Sequence, residues 1–285
     1  MGRIKLNNGS YMPDIGLGTS SYGSETIGEV IKNAYDAGFR LIDTANRYYN
    51  ENSIGEAIEK YGLKKKELFI VSKLWPCDYK KERARKAIEN TLKRLKVDHI
   101  DLMLLHKPYG EFLEAYQVLE EFVHKGLIKN IGLSNFNIAK TQKILEICKV
   151  FPQVNEIEFN PYYRNMEQVK FMQEKGITVI GWYPLGNGTN LLKNELVTSL
   201  AQKYKKSNAQ IILNYEHSYG VVPIPGSKSI EHLKENFESF SFELEKEDIM
   251  KLDNLLKKDF RPFMKFSWWW DAHAKHDFTY DKKHM

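Results

Sequence analysis

At 285 residues, with 42% hydrophobic and 28% charged content and a mean hydropathy of −0.50, the chain has the composition of a large globular core and excludes a disordered or fibrous protein. Its +5 formal charge is scattered, with no basic run interleaved with aromatics; this argues against nucleic acid and is only mildly favourable to an anionic small ligand. Cys77 and Cys148 have no paired spacing, which excludes a disulfide scaffold and points to a reducing compartment.

No signal-peptide core opens the chain, Leu6 breaks the myristoylation pattern, and no window reaches the ~18 apolar residues of a membrane span, so the expectation is a cytoplasmic protein. Residues 3–12 alternate around Asn8-Gly9, the signature of a β-hairpin. A first core strand is predicted over 15–19. Helix 25–37 and strand 40–43 follow, then helix 51–61, strand 68–73, helix 80–95 and strand 100–106. Next come helix 111–125, strand 129–134, helix 138–150, strand 153–158, helix 166–175 and strand 178–182. Helices 195–204 and 209–218 lead to strand 221–224 and helix 230–237.

The strands are apolar along their length, which implies burial on both faces and parallel pairing through helical crossovers. Eight such units in roughly 250 residues predict an α/β fold, the closed (β/α)8 TIM barrel, with an N-terminal hairpin and a C-terminal tail. No linker or composition shift divides the chain, so 1–285 reads as one domain: barrel over 1–258, tail over 259–285. The competing doubly wound dinucleotide fold wants G-x-G-x-x-G after its first strand; here the run is Gly16-Leu17-Gly18-Thr19-Ser20-Ser21, without the third glycine.

In a parallel barrel the C-terminal strand ends converge on one mouth. The second strand ends on Asp43, with Tyr48 in its loop; the third ends on Lys73, the fourth on His106 and the fifth on Ser134-Asn135. Taken singly, Asp43 reads as a turn cap, Tyr48 as packing, Lys73 as a solvated lysine and His106 as a core histidine. Together they form a proton-donating site for a carbonyl. A phenol with its ordinary pKa of about 10 is a sluggish acid at neutral pH, and a neighbouring ammonium lowers that value. None of the four carries a hydride, so a reduction requires a cofactor.

The segments GFRLIDTANRYYNE, VSKLW, DLMLLH, IGLSNF, VNEIEFNP, WYPLG and IPGSKSIEHLKEN resemble those of the aldo-keto reductases, over about residues 3–258. The resemblance implies a tetrad of Asp43, Tyr48, Lys73 and His106, with Tyr48 as general acid, and hydride transfer from NADPH, or NADH, to a small aldehyde or ketone. It implies cofactor contacts from Thr19, Asp43, Ser134, Asn135, Glu156, Trp182, Leu185, Gly226, Ser227, Lys228 and Asn236, with no metal, and a monomer. The alternative is an NAD(P)H-binding sensor or scaffold with little turnover.

The chain departs from the family at several points. Glu156 replaces a glutamine, and as a carboxylate it would accept from the nicotinamide amide without donating to it. Trp182 replaces the stacking tyrosine, and Gly226 and His232 replace the lysine and arginine that grip the 2′-phosphate. Ser20 stands where a pocket tryptophan is usual, and Lys107 where tryptophan or glutamine follows the histidine. The pocket is therefore expected to be open and walled by Trp75, with Lys107 either at the substrate or turned away by strand alternation. Phe263, Phe266 and Trp268 to Trp270 of the tail either line the pocket or pack outside the barrel; His273 and His276 read as a solvated tail and not as a zinc site.

Overall fold

The computed structural model describes residues 2–256. Two short strands, β1 (Arg3–Lys5) and β2 (Tyr11–Pro13), pair antiparallel around Gly9, whose φ of +88° is the left-handed turn position that the sequence anticipates. Eight strands follow: β3 (Gly16–Gly18), β4 (Leu41–Asp43), β5 (Phe69–Leu74), β6 (Ile100–Leu105), β7 (Ile128–Ser134), β8 (Val154–Glu158), β9 (Thr178–Trp182) and β10 (Val221–Pro223). They pair in chain order and all in parallel. The Gly18 amide donates to the Pro225 carbonyl at 3.1 Å, which brings the first strand against the end of the last and nearly closes the barrel. A Cβ on Gly18 would lie 2.6 Å from the Ile224 carbonyl oxygen, so this seam requires glycine.

Helices α1 (Ser24–Asp36), α2 (Glu51–Lys60), α3 (Lys81–Leu95), α4 (Phe112–His124), α5 (Ile138–Leu145), α6 (Met166–Glu174), α7 (Glu195–Tyr204), α8 (Asn208–Ser218) and α9 (Ile230–Phe237) surround it. Their apolar faces and the outward strand residues make three clusters around the sheet, while Leu41, Val71, Leu102, Leu104, Val154, Ile180 and Val222 fill the barrel interior. Leu6 and Met12 of the hairpin join that interior cluster and plug its N-terminal end. Asn8 and Ser10 hold the plug by donating to the Asn130 side chain at 2.9 and 2.7 Å.

Two elements differ from the sequence expectation. Helix α5 stops at Leu145 and not at 150, because the buried Glu120 carboxylate accepts the amides of Lys149 and Val150 at 2.5 and 2.8 Å and draws the chain out of the helix. An unforeseen helix, α10 (Lys246–Asp253), packs on α7, its buried Asp248 accepting from Lys203, Tyr204 and Lys251. Among the described residues, no helix is long and apolar enough to cross a membrane. The aromatic residues and histidines of the tail lie outside the described residues.

Candidate active site

Strand alternation decides which side chains enter the barrel. In β4, Leu41 faces in and Ile42 out, so Asp43 faces in; in β5, Val71 faces in and Ser72 out, so Lys73 faces in. His106 lies two residues beyond inward Leu104, Glu156 two beyond Val154 and Trp182 two beyond Ile180. All five therefore meet above the interior cluster, at the C-terminal ends of the strands. Lys73 is the penultimate residue of β5, and His106 stands just past β6 with its amide still bonded to the Leu74 carbonyl at 2.9 Å.

Lys73 is fully buried. Its ammonium donates to both Asp43 oxygens at 2.6 and 2.7 Å and to the Thr44 carbonyl at 3.1 Å, and lies 3.3 Å from Glu156 Oε2. The Tyr48 ring stands over it, 5.2 Å from Nζ to centroid, and meets the His106 ring edge-on with centroids 5.7 Å apart. Trp75 packs against the other side of His106 at 4.9 Å.

A single turn of 3₁₀ helix, Asn46–Tyr48, delivers the tyrosine, and two residues to which the sequence assigns no part in the site, Asn50 and the helix-opening Glu51, brace the loop. Asn50 accepts from the Thr44 hydroxyl at 2.7 Å and donates to the Thr19 and Tyr22 carbonyls at 3.0 and 3.2 Å, pinning this loop to the one after β3. Glu51, buried at the start of α2, accepts from Ser72 at 2.6 Å and from Arg94 at 2.8 and 2.6 Å. A buried acid so satisfied ties α2 and α3 to the strand that carries Lys73. Their signal lay in the polar run NENS directly after the tyrosines.

Electrostatics separate the groups. Burial pushes the Lys73 ammonium down, but Asp43, Glu156 and Tyr48 together push it further up, so it stays charged. Burial and the Asp43 charge push Glu156 up to about 8, against the opposing pull of Lys73. With one ammonium for two carboxyls, the closer Asp43 holds the negative charge and Glu156 is mostly protonated at neutral pH. Burial, then Lys73, Lys107 and Arg47, hold His106 well below the usual imidazole range, so it is neutral. The expectation for Tyr48 needs correcting in sign: Lys73 does pull the phenol down, but burial outweighs it and the net displacement is upward.

The Glu156 displacement has a measurable consequence. Its folded pKa lies above the unfolded value near 4.3, so the folded state binds the extra proton. The stability this gives is complete below about pH 4, falls as pH rises and is gone above about 8. Urea midpoints measured across pH 5–9 should decline through this window in the wild type more than in Glu156→Gln. Parallel profiles would mean that Glu156 carries no such proton.

Asp43, Tyr48, His106 and Glu156 reach the floor of a cleft of about 750 Å³, with Lys73 buried behind them. Asp43, Tyr48, Trp75, His106, Lys107, Ser134, Asn135, Glu156, Trp182, Leu185 and Gly226 line it. Asn135 adopts φ +64°, donates to the His106 carbonyl and the Ser134 hydroxyl at 3.1 and 2.9 Å, and accepts from the Trp182 indole at 3.2 Å. Thr19 is fully buried off the cleft wall, its hydroxyl donating to the Asp43 carbonyl at 2.8 Å. Ser227, Lys228 and His232, around the start of α9, are also off that wall, as is Asn236 in its last turn. Arg47, Tyr22 and Tyr183, unremarked in the sequence, line it. A Cβ at Gly226 would fall 2.7 Å from the Tyr22 hydroxyl and 2.8 Å from the Gly18 carbonyl, so the backbone itself has closed over the position.

Residues 14–257 match the sequence profile of the Aldo/keto reductase family. This chain belongs to the aldo/keto reductase family. It is thus an oxidoreductase, from a family that acts on carbonyl compounds and generally uses NADPH or NADH. As an aldo/keto reductase it is 39% identical over 259 residues to "Glyoxal reductase" of Bacillus subtilis (strain 168), covering 90% of this chain and 93% of that protein. It is 35% identical over 256 residues to "Methylglyoxal reductase DkgA" of Escherichia coli (strain K12), covering 88% and 92%. The aldose reductase structure from Schistosoma japonicum superposes with a TM-score of 0.86 at 34% identity, over 94% of this chain and 97% of that one.

Proposed function

We propose that this protein reduces small aldehydes and ketones to alcohols with NADPH, accepting NADH as well, and that Tyr48 is the proton donor. One observation carries the reading: a buried, charge-paired lysine lies directly beneath a protonated tyrosine, which stands edge-on to a neutral histidine at the floor of an open cleft. The printed names of the glyoxal and methylglyoxal reductases point to the same chemistry.

In this reading Tyr48 gives its proton to the carbonyl oxygen as negative charge develops there. Lys73 stabilises the phenolate left behind, and Asp43 holds the ammonium in place. Neutral His106 donates a hydrogen bond that orients the substrate oxygen, and Trp75 walls the pocket.

The opposite wall fits a nicotinamide. Glu156 Oε2 is buried and makes no hydrogen bond, its one close polar neighbour the Lys73 ammonium at 3.3 Å, and it lies beside Ser134, Asn135 and Trp182 in the cleft lining. A protonated Glu156 accepts from the carboxamide NH2 and donates to its carbonyl, as glutamine does; the ionised form only accepts. The bound reduced nicotinamide supplies the hydride. Thr19, Leu185, Gly226, Ser227, Lys228 and Asn236 serve the remainder of the cofactor.

Gly226 has no side chain and His232 no fixed charge, which leaves Lys228 as the cation for a 2′-phosphate. With purified protein and a panel of small aldehydes, loss of reduced-nicotinamide absorbance is expected with both cofactors. The NADPH preference should stay under the roughly 100-fold that about 2.7 kcal/mol gives. A preference above about a thousandfold overturns the cofactor reading, and no turnover with any carbonyl overturns the function.

A further inference from the structure

Among the described residues, the charged side chains lining the cleft are Asp43, Glu156, Arg47 and Lys107. The two acids lie at the floor with Lys73. The two cations reach the same cleft from the segments that carry Tyr48 and His106. Arg47 precedes Tyr48 in the delivering turn; its guanidinium stands 5.7 Å over the Trp75 ring, whose edge meets His106, and it also donates to the Tyr49 hydroxyl. Lys107 follows His106.

Strand alternation would have turned Lys107 away from the mouth, but β6 has already ended at Leu105. The Lys107 amide leaves the strand ladder and donates to the Tyr79 hydroxyl at 3.2 Å, while that hydroxyl donates to the Lys107 carbonyl at 2.8 Å. Tyr79 is fully buried, so this clamp fixes the backbone where both neighbours, His106 and Lys107, reach the cleft. Both cations act on the His106 imidazole, in agreement with their placement around it.

We propose that Arg47 and Lys107 select carbonyl substrates bearing an anionic group, a carboxylate or a phosphate monoester. The inference rests on the carbonyl reduction proposed above and adds the substrate class. The aldehyde or ketone carbon faces Tyr48 and His106, and the anion lies toward the guanidinium and ammonium. Arg47 offers a planar fork and Lys107 a point charge, so together they suit a multi-oxygen anion better than either alone.

The test compares kcat/KM for 4-oxobutanoate against butanal, and for glycolaldehyde phosphate against glycolaldehyde. It uses the wild type, Lys107→Met, Arg47→Met and the double variant. In the wild type the anionic member should be favoured by roughly 10- to 150-fold, the worth of one charge-assisted contact, and by more if both engage. Each single variant should lower that ratio, and the double variant should bring it near one. The pair with the larger ratio identifies the anion. A ratio that survives the double substitution, or one near unity in the wild type, overturns the proposal; loss of rate on both members alike counts against it too.

A second measurement stands apart from turnover. Non-reactive succinate and inorganic phosphate are titrated against tryptophan fluorescence of the free protein, since Trp75 and Trp182 both line the cleft. At least tenfold weaker binding in the double variant is expected, and equal binding overturns the anion site even if no carbonyl is turned over. Failure of catalysis with anion binding intact would instead fall on the reaction assigned to the cleft.

Discussion

Tyr48→Phe is expected to lower kcat by at least the 100- to 10,000-fold that general acid catalysis usually contributes, while cofactor affinity changes little. The substitution removes one oxygen and keeps the ring, so the edge-on contact with His106 and the position over Lys73 persist. What disappears is the phenol hydroxyl proposed as the proton donor, beside the buried ammonium. His106 is no replacement, because burial and three neighbouring cations keep it neutral, and a neutral imidazole is a much weaker acid than imidazolium. Single-turnover rates with saturating cofactor measure the effect directly. A Phe variant that kept most of its turnover would remove Tyr48 from its role.

Lys73→Met is the second large effect, and it falls on folding as well as rate. The side chain is fully buried and makes three hydrogen bonds, two of them to one carboxylate. Removing one partner of a buried pair usually costs about 3–5 kcal/mol, because the other charge is left without compensation. Here Asp43 would have to take up a proton, Glu156 being mostly protonated already. The melting temperature should drop by on the order of 10 °C, and turnover should fall along with it. Lys73→Met together with Asp43→Asn should regain part of the stability but none of the rate. A single variant as stable as the wild type would show that the pair contributes nothing to the fold.

Much of this site was legible because a parallel barrel strand has a fixed side-chain period. Once 40–43, 68–73 and 100–106 are read as strands, Asp43, Lys73 and His106 must share the inward face at one end. Where the reading went astray, the cause was an interaction across the chain that no local pattern contains. The run 138–150 is helix-like to its end, yet Glu120 captures two amides from a different element. The polar segment of α10 carries few apolar residues, and its Asp248 is satisfied only by Lys203 and Tyr204 of α7 in addition to its own Lys251.

Electrostatics were half legible. Proximity of Lys73 to Tyr48 follows from topology, but the cost of burying the phenol does not, and it reverses the net sign. Glu156 was read as an ionised carboxylate because its distance to Asp43 and Lys73 is set by the barrel's cross-section. Arg47 passed unnoticed beside Tyr48, since only the 3₁₀ turn brings its guanidinium over Trp75.

The seam at Gly226 limits what a substitution could add there. With the Tyr22 hydroxyl and the Gly18 carbonyl within 2.8 Å of where a Cβ would stand, the room for a side chain has been taken partly by main chain. A flexible tyrosine can swing aside, but the carbonyl belongs to the strand pair that closes the barrel. A lysine placed at this position would have to displace part of that seam before its ammonium could be seated.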